Sequence, residues 1–192
     1  MKDQQQDDDV HCMERLRQGD DLALNDLMRR WKEPLVTFCL RYTGNVTDAC
    51  EIAQETFVKV HGSRHRYQPS ATFSTWLFSI AANLCRMRAR WRTRHPEVLE
   101  ADRNQDPERV ADGIDLTDPS VESDRNTLAA DLESAIQSLP HDLRVAFVLF
   151  EIQGQSYRDV SQILKCTEKA VERRLAKARE RLRSMLEFKW RG

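Results

Sequence analysis

Apolar residues in this chain recur at intervals of three and four, the spacing that places side chains on one face of an α-helix. The first run predicts a helix with five inward side chains: Leu24, Leu27, Met28, Trp31 and Leu35. Pro34 lies inside this run, and because proline lacks the N–H that a helix interior needs, we expect the helix to bend or restart there. The acidic, polar residues 1–9 are predicted to form a disordered tail.

Two more amphipathic helices are predicted in the first half. One begins at an N-cap at Thr47 and turns a mainly apolar face inward: Ala49, Ile52, Ala53, Thr56 and Val60. Its polar face carries Asp48, Glu51, Gln54 and Glu55. The other helix follows the segment 67–72 and buries Phe73, Trp76, Leu77, Ile80 and Leu84. It then continues into alternating arginines: Arg86, Arg88, Arg90, Arg92 and Arg94.

The second half has the spacing of a helix-turn-helix unit. A helix with Leu128, Leu132, Ala135, Ile136 and Leu139 inward stops at Pro140, and another covers about residues 142–151. Ser156 and Asp159 have the spacing of a capping box that opens a short helix. Thr167 then caps a long helix that buries Val171, Leu175, Ala178 and Leu182. Short helix, tight turn and long helix are the order of a helix-turn-helix.

An acidic stretch separates the two halves. Between Pro96 and Glu133 there are twelve acids, three arginines and three prolines, and there is no sustained apolar period. Such a stretch is typical of a tether between domains. We therefore predict an all-α fold of two small helical domains, residues 10–95 and 128–192, joined by an acidic flexible linker over residues 96–127.

Composition narrows the possible functions. The chain of 192 residues is 40% hydrophobic and 32% charged, as in soluble globular proteins. No window approaches the roughly 18 apolar residues of a membrane-spanning helix, and the acidic start is unlike a signal peptide, so we expect a cytoplasmic protein. Five widely spaced cysteines without a C-x-x-C pair argue against a disulfide framework or a zinc ribbon. We expect no metal and no cofactor.

The long helix of the second half has an outward face suited to DNA. With its apolar face buried, the helix presents Lys169, Glu172, Arg173, Ala176 and Lys177, flanked by Arg174 and Arg179. Arginine can pair with guanine, glutamate can accept from cytosine, and lysine mostly contacts phosphate. The alternative is a solvated basic helix within a bundle.

The segment from Tyr67 to Arg94 mixes aromatic rings with cations. Such a mixture is expected where unstacked bases lie on rings beside a phosphate-binding groove, although Phe73 and Trp76 also fit simple packing. Five arginines within nine residues repel each other unless a polyanion lies nearby.

Three ordered blocks resemble a known family. They are DACEIAQETFVKV at 48–60, FSTWLFSIAANLCR at 73–86 and LPHDLRVAFVLFEIQGQSYRDVSQIL at 139–164. Together they are similar to bacterial RNA polymerase sigma factors of the extracytoplasmic-function group. The resemblance implies a non-enzymatic subunit that binds core RNA polymerase and directs transcription initiation at promoters. It also implies an anti-sigma factor as a partner.

The resemblance further implies residue roles. The first domain, sigma-two, would bind polymerase through Asp48, Glu51, Gln54 and Glu55. A base of the non-template strand of the minus-ten element would enter a pocket formed by Tyr67, Ser70, Ala71 and Phe73. Asn83 would contact that strand, and Arg86, Arg88 and Arg90 would hold its phosphates. The second domain, sigma-four, would read the minus-thirty-five element as duplex through Lys169, Glu172, Arg173, Arg174 and Lys177.

Some features depart from the family pattern. Lys169 stands where the family often has a small residue, and the triplet from Glu172 to Arg174 is unusual there. The sequence preference of relatives therefore does not transfer to this chain.

Two other classes of protein are alternatives. A helix-turn-helix regulator with an N-terminal sensing or dimerisation domain explains the second half but not the aromatic and arginine segment. A hydrolase with a cysteine nucleophile finds no support, because the chain has no glycine-rich phosphate loop, no paired catalytic carboxylates and no evident Cys–His arrangement. The acidic linker either competes with DNA for the basic blocks on each side or is a solvated spacer.

Overall fold

The predicted all-α fold is confirmed. A computed structural model describes residues 2–68, 71–95 and 123–190, with side chains placed for 5–68, 71–95 and 129–187, and the described residues contain no strand. Most of the predicted linker, residues 96–122, lies outside the described residues, as does the Ser70 position. The helices are α1 Lys2–Arg17, α2 Leu22–Thr43, α3 Val46–Gly62, α4 Phe73–Arg94, α5 Ser123–Ser138, α6 His141–Phe147, α7 Tyr157–Ile163 and α8 Glu168–Trp190.

Helices α1 to α4 form the N-terminal domain around α2, which packs on the other three. Aromatic rings fill its centre: the Phe78 ring lies 5.3 Å from Phe38 and 6.3 Å from Trp31, both edge to face. This geometry brings the positive ring edge to the negative face of the neighbouring ring. The start of α4 is thereby held against the middle of α2.

The boundaries of α2 and α3 differ from the sequence-based prediction. Helix α2 runs through Pro34 to Thr43 without restarting. Leu35, directly after the proline, and Phe38, one turn further on, are fully buried. Burial of these side chains offsets the backbone hydrogen bond that proline cannot make. The prediction that Thr47 caps α3 is wrong, because the Asn45 side chain accepts from the Asp48 N–H at 2.8 Å.

The prediction of a disordered tail over residues 1–9 is also wrong for residues 2–9, since α1 begins at Lys2. Asp9 is only 2% exposed and anchors the helix to α2. The Trp31 Nε1–H donates to its carboxylate at 3.0 Å, and the Arg30 guanidinium pairs with it at 3.0 Å. Burial raises the pKa of the Asp9 carboxyl, and the two partners counteract only part of that effect.

The C-terminal domain comprises α5 to α8. Helix α6 is followed by a π-helical turn, Val148–Ile152. A turn at Gly154 then leads into α7. The predicted capping box is present: the Ser156 hydroxyl accepts from the Asp159 N–H, and the Asp159 carboxylate accepts from the Ser156 N–H. Lys165, at φ 50°, turns the chain from α7 into α8. The predicted helix-turn-helix is thus formed.

The two domains contact each other through α2 and α4 on one side and α5 to α7 on the other. At this junction Gly44 ends α2 at φ 69°, and its N–H donates to the Leu40 carbonyl at 2.8 Å. A left-handed residue of this kind is the common helix ending that favours glycine. Within the described ranges, no helix is both long and apolar enough to cross a membrane.

Replacing Gly44 with alanine is expected to lower the free energy of unfolding by about 1–2 kcal/mol, because an L-residue is strained at this left-handed angle. The new Cβ would also clash with the side-chain amide of Gln137, which would have to move. Gly62→Ala is the matched control, since a Cβ there meets no atom within 4 Å. Urea unfolding of the full chain measures both variants, and equal stabilities would contradict the prediction.

Candidate nucleic-acid interface

Helix α8 presents the outward face that the apolar spacing predicts. Val171, Leu175 and Ala178 are fully buried. Four of the side chains predicted to face DNA are exposed on its first turns: Lys169, Glu172, Arg173 and Lys177. The Thr167 hydroxyl accepts from the Ala170 N–H at 3.2 Å and so caps the helix at its predicted start.

Arg174 differs from these four residues. It is half-buried, and its guanidinium donates to Asp142 Oδ2 and to Cys166 Sγ, each at 3.0 Å. The side chain therefore ties α8 to the start of α6 and to the turn before α8. Arg174 is thus paired in this structure, and its predicted contact with DNA stays a prediction.

Helix α4 does not present all of its arginines in the same way. Asn83 and Arg90 are exposed, and Arg86 is half-buried and donates to Asp142 Oδ1 at 3.2 Å. Positions 83, 86 and 90 lie on one face of the helix, because they are separated by three and four residues. Further along, the Trp91 ring stacks on His95 with a centroid separation of 4.7 Å.

Arg88 and Arg92 point instead towards the start of α3. The Arg88 Nη1 atom lies 2.6 Å from one oxygen of Asp48, and the Arg92 Nε atom lies 2.5 Å from the other. The second Arg88 nitrogen, Nη2, lies 2.7 Å from Glu51. Burial lowers the pKa of Arg88, but the hydrogen bond to Glu51 and the charges of Asp48 and Glu51 outweigh it and raise the pKa above its ordinary value.

This cluster holds two of the predicted site residues in ion pairs. Asp48, expected to face the polymerase, is 2% exposed and balances two cations inside the domain. Arg88, expected to hold a phosphate, already has two carboxylate partners. The fold brings these residues together although about 40 residues separate the two sides of the cluster. One signal was available in the sequence: arginines at 88 and 92 and acids at 48 and 51 each have the spacing of one helix face.

The aromatic residues of the predicted base pocket are packed. Tyr67 is 4% exposed and Phe73 is 1% exposed, and the Tyr67 ring lies 5.2 Å from Trp76 and 6.3 Å from Phe73. The Tyr67 hydroxyl donates to the Ala71 carbonyl at 3.3 Å, and burial raises the pKa of Tyr67 to about 12. These rings support the loop from beneath, and their predicted contact with a base stays a prediction. Ala71 is half-buried at the surface of the loop.

The outer face of α3 is open. Gln54 and Glu55 are exposed, and Glu55 pairs with Lys59 one turn away at 3.3 Å. Gln54 also lies at the edge of a groove of about 730 Å³ between α2 and α3. The floor of this groove is apolar, with Leu24, Met28, Val36, Ala53 and Phe57, and Val58 at its edge is 69% exposed. An apolar floor with a polar rim suits the side of a partner helix.

No group of His, Cys, Asp and Glu in the described residues is arranged to hold a metal ion. All five cysteines are free thiols. The candidate interface consists of cations, carboxylates, amides and apolar side chains.

Known proteins resemble this chain over nearly its full length. The family profile described as Sigma-70 region 2 matches residues 27–95, and that described as Sigma-70, region 4 matches residues 129–182. The ECF RNA polymerase sigma-E factor of Haemophilus influenzae is 31% identical over 186 residues, covering 93% of this chain and 95% of its own.

Two solved structures share the fold. The structure of CnrH in complex with the cytosolic domain of CnrY has a TM-score of 0.68 at 23% identity and covers 94% of this chain and 97% of that chain. The sigma factor RpoE of Bartonella quintana, solved in complex with the anti-sigma factor NepR, has a TM-score of 0.63 at 22% identity. It covers 85% of this chain and 96% of that chain.

Replacing Asp48 with alanine is expected to lower the free energy of unfolding by about 3 kcal/mol, because two partly buried guanidinium groups lose their counter-charge. Glu51→Gln is the matched control and should cost less than about 1 kcal/mol, since the Glu51 side chain is half exposed. Urea unfolding of both variants gives the comparison. A loss for Asp48→Ala no larger than for Glu51→Gln would show that the cluster does not hold α3 and α4 together.

Proposed function

The chain belongs to the extracytoplasmic-function group of the sigma-70 family, whose members direct RNA polymerase to promoters, and from this premise we propose which of its surfaces perform each step. The observation that carries the assignment is the presence of region 2 and region 4, in that order, in one chain. The alternative of a helix-turn-helix regulator with an unrelated N-terminal domain is not favoured, because region 2 covers that half. The family is not a family of enzymes.

Core RNA polymerase binds, in this proposal, along the exposed side of α3 and the groove beside it. Gln54 and Glu55 supply the polar contacts and Val58 an apolar one, with Glu51 at the edge. Asp48 contributes indirectly, because its pairing with Arg88 and Arg92 sets the angle between α3 and α4. The chain works where the polymerase works, in the cytoplasm.

The minus-ten element contacts the exposed face of α4. Asn83, Arg86 and Arg90 lie along one side of this helix, so they can follow a single strand, with the amide near a base and the two cations near phosphates. The loop carrying Ser70 and Ala71 receives an unstacked base, and Tyr67 and Phe73 support that loop from the core. Domain sigma-two therefore comprises residues 10–95, preceded by the N-terminal part of α1.

The minus-thirty-five element is read by α8 of domain sigma-four, residues 128–192. The short helix α7 crosses the backbone while α8 enters the major groove, as in other helix-turn-helix units. Arg173 and Glu172 lie nearest base edges, and Lys169 and Lys177 lie nearest phosphates. Residues 96–127 connect the two domains between the promoter elements. An anti-sigma factor is a further partner, by analogy with the Bartonella relative.

Run-off transcription with core RNA polymerase on a library of genomic fragments tests the whole assignment. The full chain should produce discrete transcripts that are absent with core polymerase alone. The start sites should share two sequence elements upstream. Absence of any chain-dependent transcript, with a folded chain and active polymerase, would contradict it.

Arg173→Ala is expected to weaken binding to the preferred promoter duplex by about 1–3 kcal/mol and to relax the choice of base at one position. Arg183→Ala, an exposed arginine two to three turns further along α8, is the control and should change affinity less and equally for all sequences. Fluorescence anisotropy on the selected promoter and on single-base variants measures both effects. A uniform loss for Arg173→Ala would make it a phosphate contact.

Glu55→Lys is expected to weaken binding to core polymerase at least tenfold while leaving the helical content unchanged, because an exposed charge on the proposed docking face is reversed. Glu14→Lys on α1 is the matched control, since Glu14 is also an exposed glutamate paired with a cation one turn away. Competition against the labelled wild-type chain for core polymerase separates the two variants. Equal affinities would remove Glu55 from the docking surface.

A further inference from the structure

One carboxylate joins the two predicted DNA-binding helices of this chain. Asp142 lies in the first turn of α6, in the C-terminal domain. Its Oδ1 atom accepts from Arg86 of α4 at 3.2 Å, and its Oδ2 atom accepts from Arg174 of α8 at 3.0 Å. Each oxygen therefore holds the guanidinium of a different domain.

Further contacts around Asp142 join the two domains, and the histidine among them carries no charge. The Tyr42 hydroxyl shares a hydrogen bond of 2.7 Å with His141 Nδ1, and the Arg144 guanidinium donates to the Tyr42 carbonyl at 2.7 Å. That guanidinium also lies 4.7 Å above the centre of the Tyr42 ring. Burial, followed by the charge of Arg86, lowers the pKa of His141 to about 4, so this imidazole is neutral at pH 7.

The same junction covers the start of α4. Helix α7 packs along α4, and the Thr75 hydroxyl donates to Asp159 of α7 at 3.1 Å. In a helix-turn-helix the first helix crosses the DNA backbone. A duplex on the C-terminal domain and a single strand on α4 would thus both need room that the domain junction occupies.

We propose that this chain has a self-inhibited closed form in which Asp142 takes the place of a DNA phosphate between Arg86 and Arg174. The inference rests on the proposed function, which assigns α4 and α8 to DNA. A carboxylate and a phosphate are both anions that accept from a guanidinium fork, so Asp142 and DNA compete for the same donors. Promoter binding then requires the two domains to separate.

The charges near Asp142 favour opening once this carboxylate is removed or outcompeted. Two clefts share it: one is lined by Arg86 and Arg90, the other by Arg173, Arg174, Lys177 and Arg181. Among the described residues that line these two clefts, Asp142 is the only acidic one. Without its charge, the cations of the two domains repel each other, and a polyanion becomes the best remaining partner.

The Asp142 side chain is 46% exposed. At this exposure each pair with arginine contributes little by itself, so DNA phosphates can replace Asp142 at both guanidinium groups. That property suits a contact that must break before the promoter is bound. It also means that substitution of Asp142 leaves both domains folded.

The test compares Asp142→Asn with Glu180→Gln in the full chain. Glu180 is an exposed acid on α8 outside both clefts, so it controls for the loss of one negative charge. Dyes introduced at the exposed positions Glu33 and Arg183 report the separation of the domains by energy transfer. A mixed-sequence duplex and an oligo(dT) strand, followed by anisotropy at low salt, report DNA binding.

The wild-type chain and Glu180→Gln should show high energy transfer, and Asp142→Asn should show a clear decrease. Asp142→Asn should also bind both DNA probes about fivefold more tightly than Glu180→Gln, as expected for the loss of two weak competing ion pairs. Low energy transfer in the wild-type chain, or equal transfer in both variants, would overturn the closed form. Opening by Asp142→Asn without tighter DNA binding would instead overturn the assignment of α4 and α8 to DNA, and with it the proposed inhibition.

Discussion

The buried carboxylate of Asp48 determines how the two working helices of the N-terminal domain are arranged. It lies in the first turn of α3 and pairs with Arg88 and Arg92 of α4. A charge in such a site is tolerated only with close counter-charges, so the angle and register between α3 and α4 are strongly restricted. The open face of α3 and the cationic face of α4 therefore keep a constant relationship, which a protein that positions DNA against a polymerase needs.

Arginine and carboxylate pairs serve two purposes in this chain, and solvent exposure separates them. The Asp48 side chain is 3% exposed, whereas that of Asp142 is 46% exposed. Loss of a buried partner leaves an uncompensated charge in the interior, whereas an exposed pair exchanges its partners with water and ions at little cost. The first arrangement is suited to permanent structure, and the second to a contact that DNA can replace.

The aromatic residues show a similar division between support and contact. Tyr67 and Phe73 are buried beneath the loop that resembles the base-binding loop of the family, and Trp31 and Phe78 continue the packing into the core. A rigid layer beneath a loop reduces the conformations available to it, which lowers the entropy lost when a ligand binds. The rings thus contribute to the loop through packing, while the outward-facing groups of α4 are an amide and guanidinium groups.

The sequence by itself determined the helices, their buried faces and the cationic face of α8, because these depend on local spacing and capping, as at Ser156 and Asp159. The sequence also indicated the family, because three sequence blocks and their order can be compared with known sigma factors without any tertiary structure. Only the tertiary structure decided which charged side chains are paired within the protein and which are exposed to a partner. Arg86, Arg88 and Arg90 are equivalent in the sequence, yet one pairs with Asp142, one with Asp48 and Glu51, and one is exposed. The pairing of Asp9 with Trp31 likewise orders a helix that composition marked as a tail. These outcomes depend on contacts between residues distant in sequence, which no local pattern encodes.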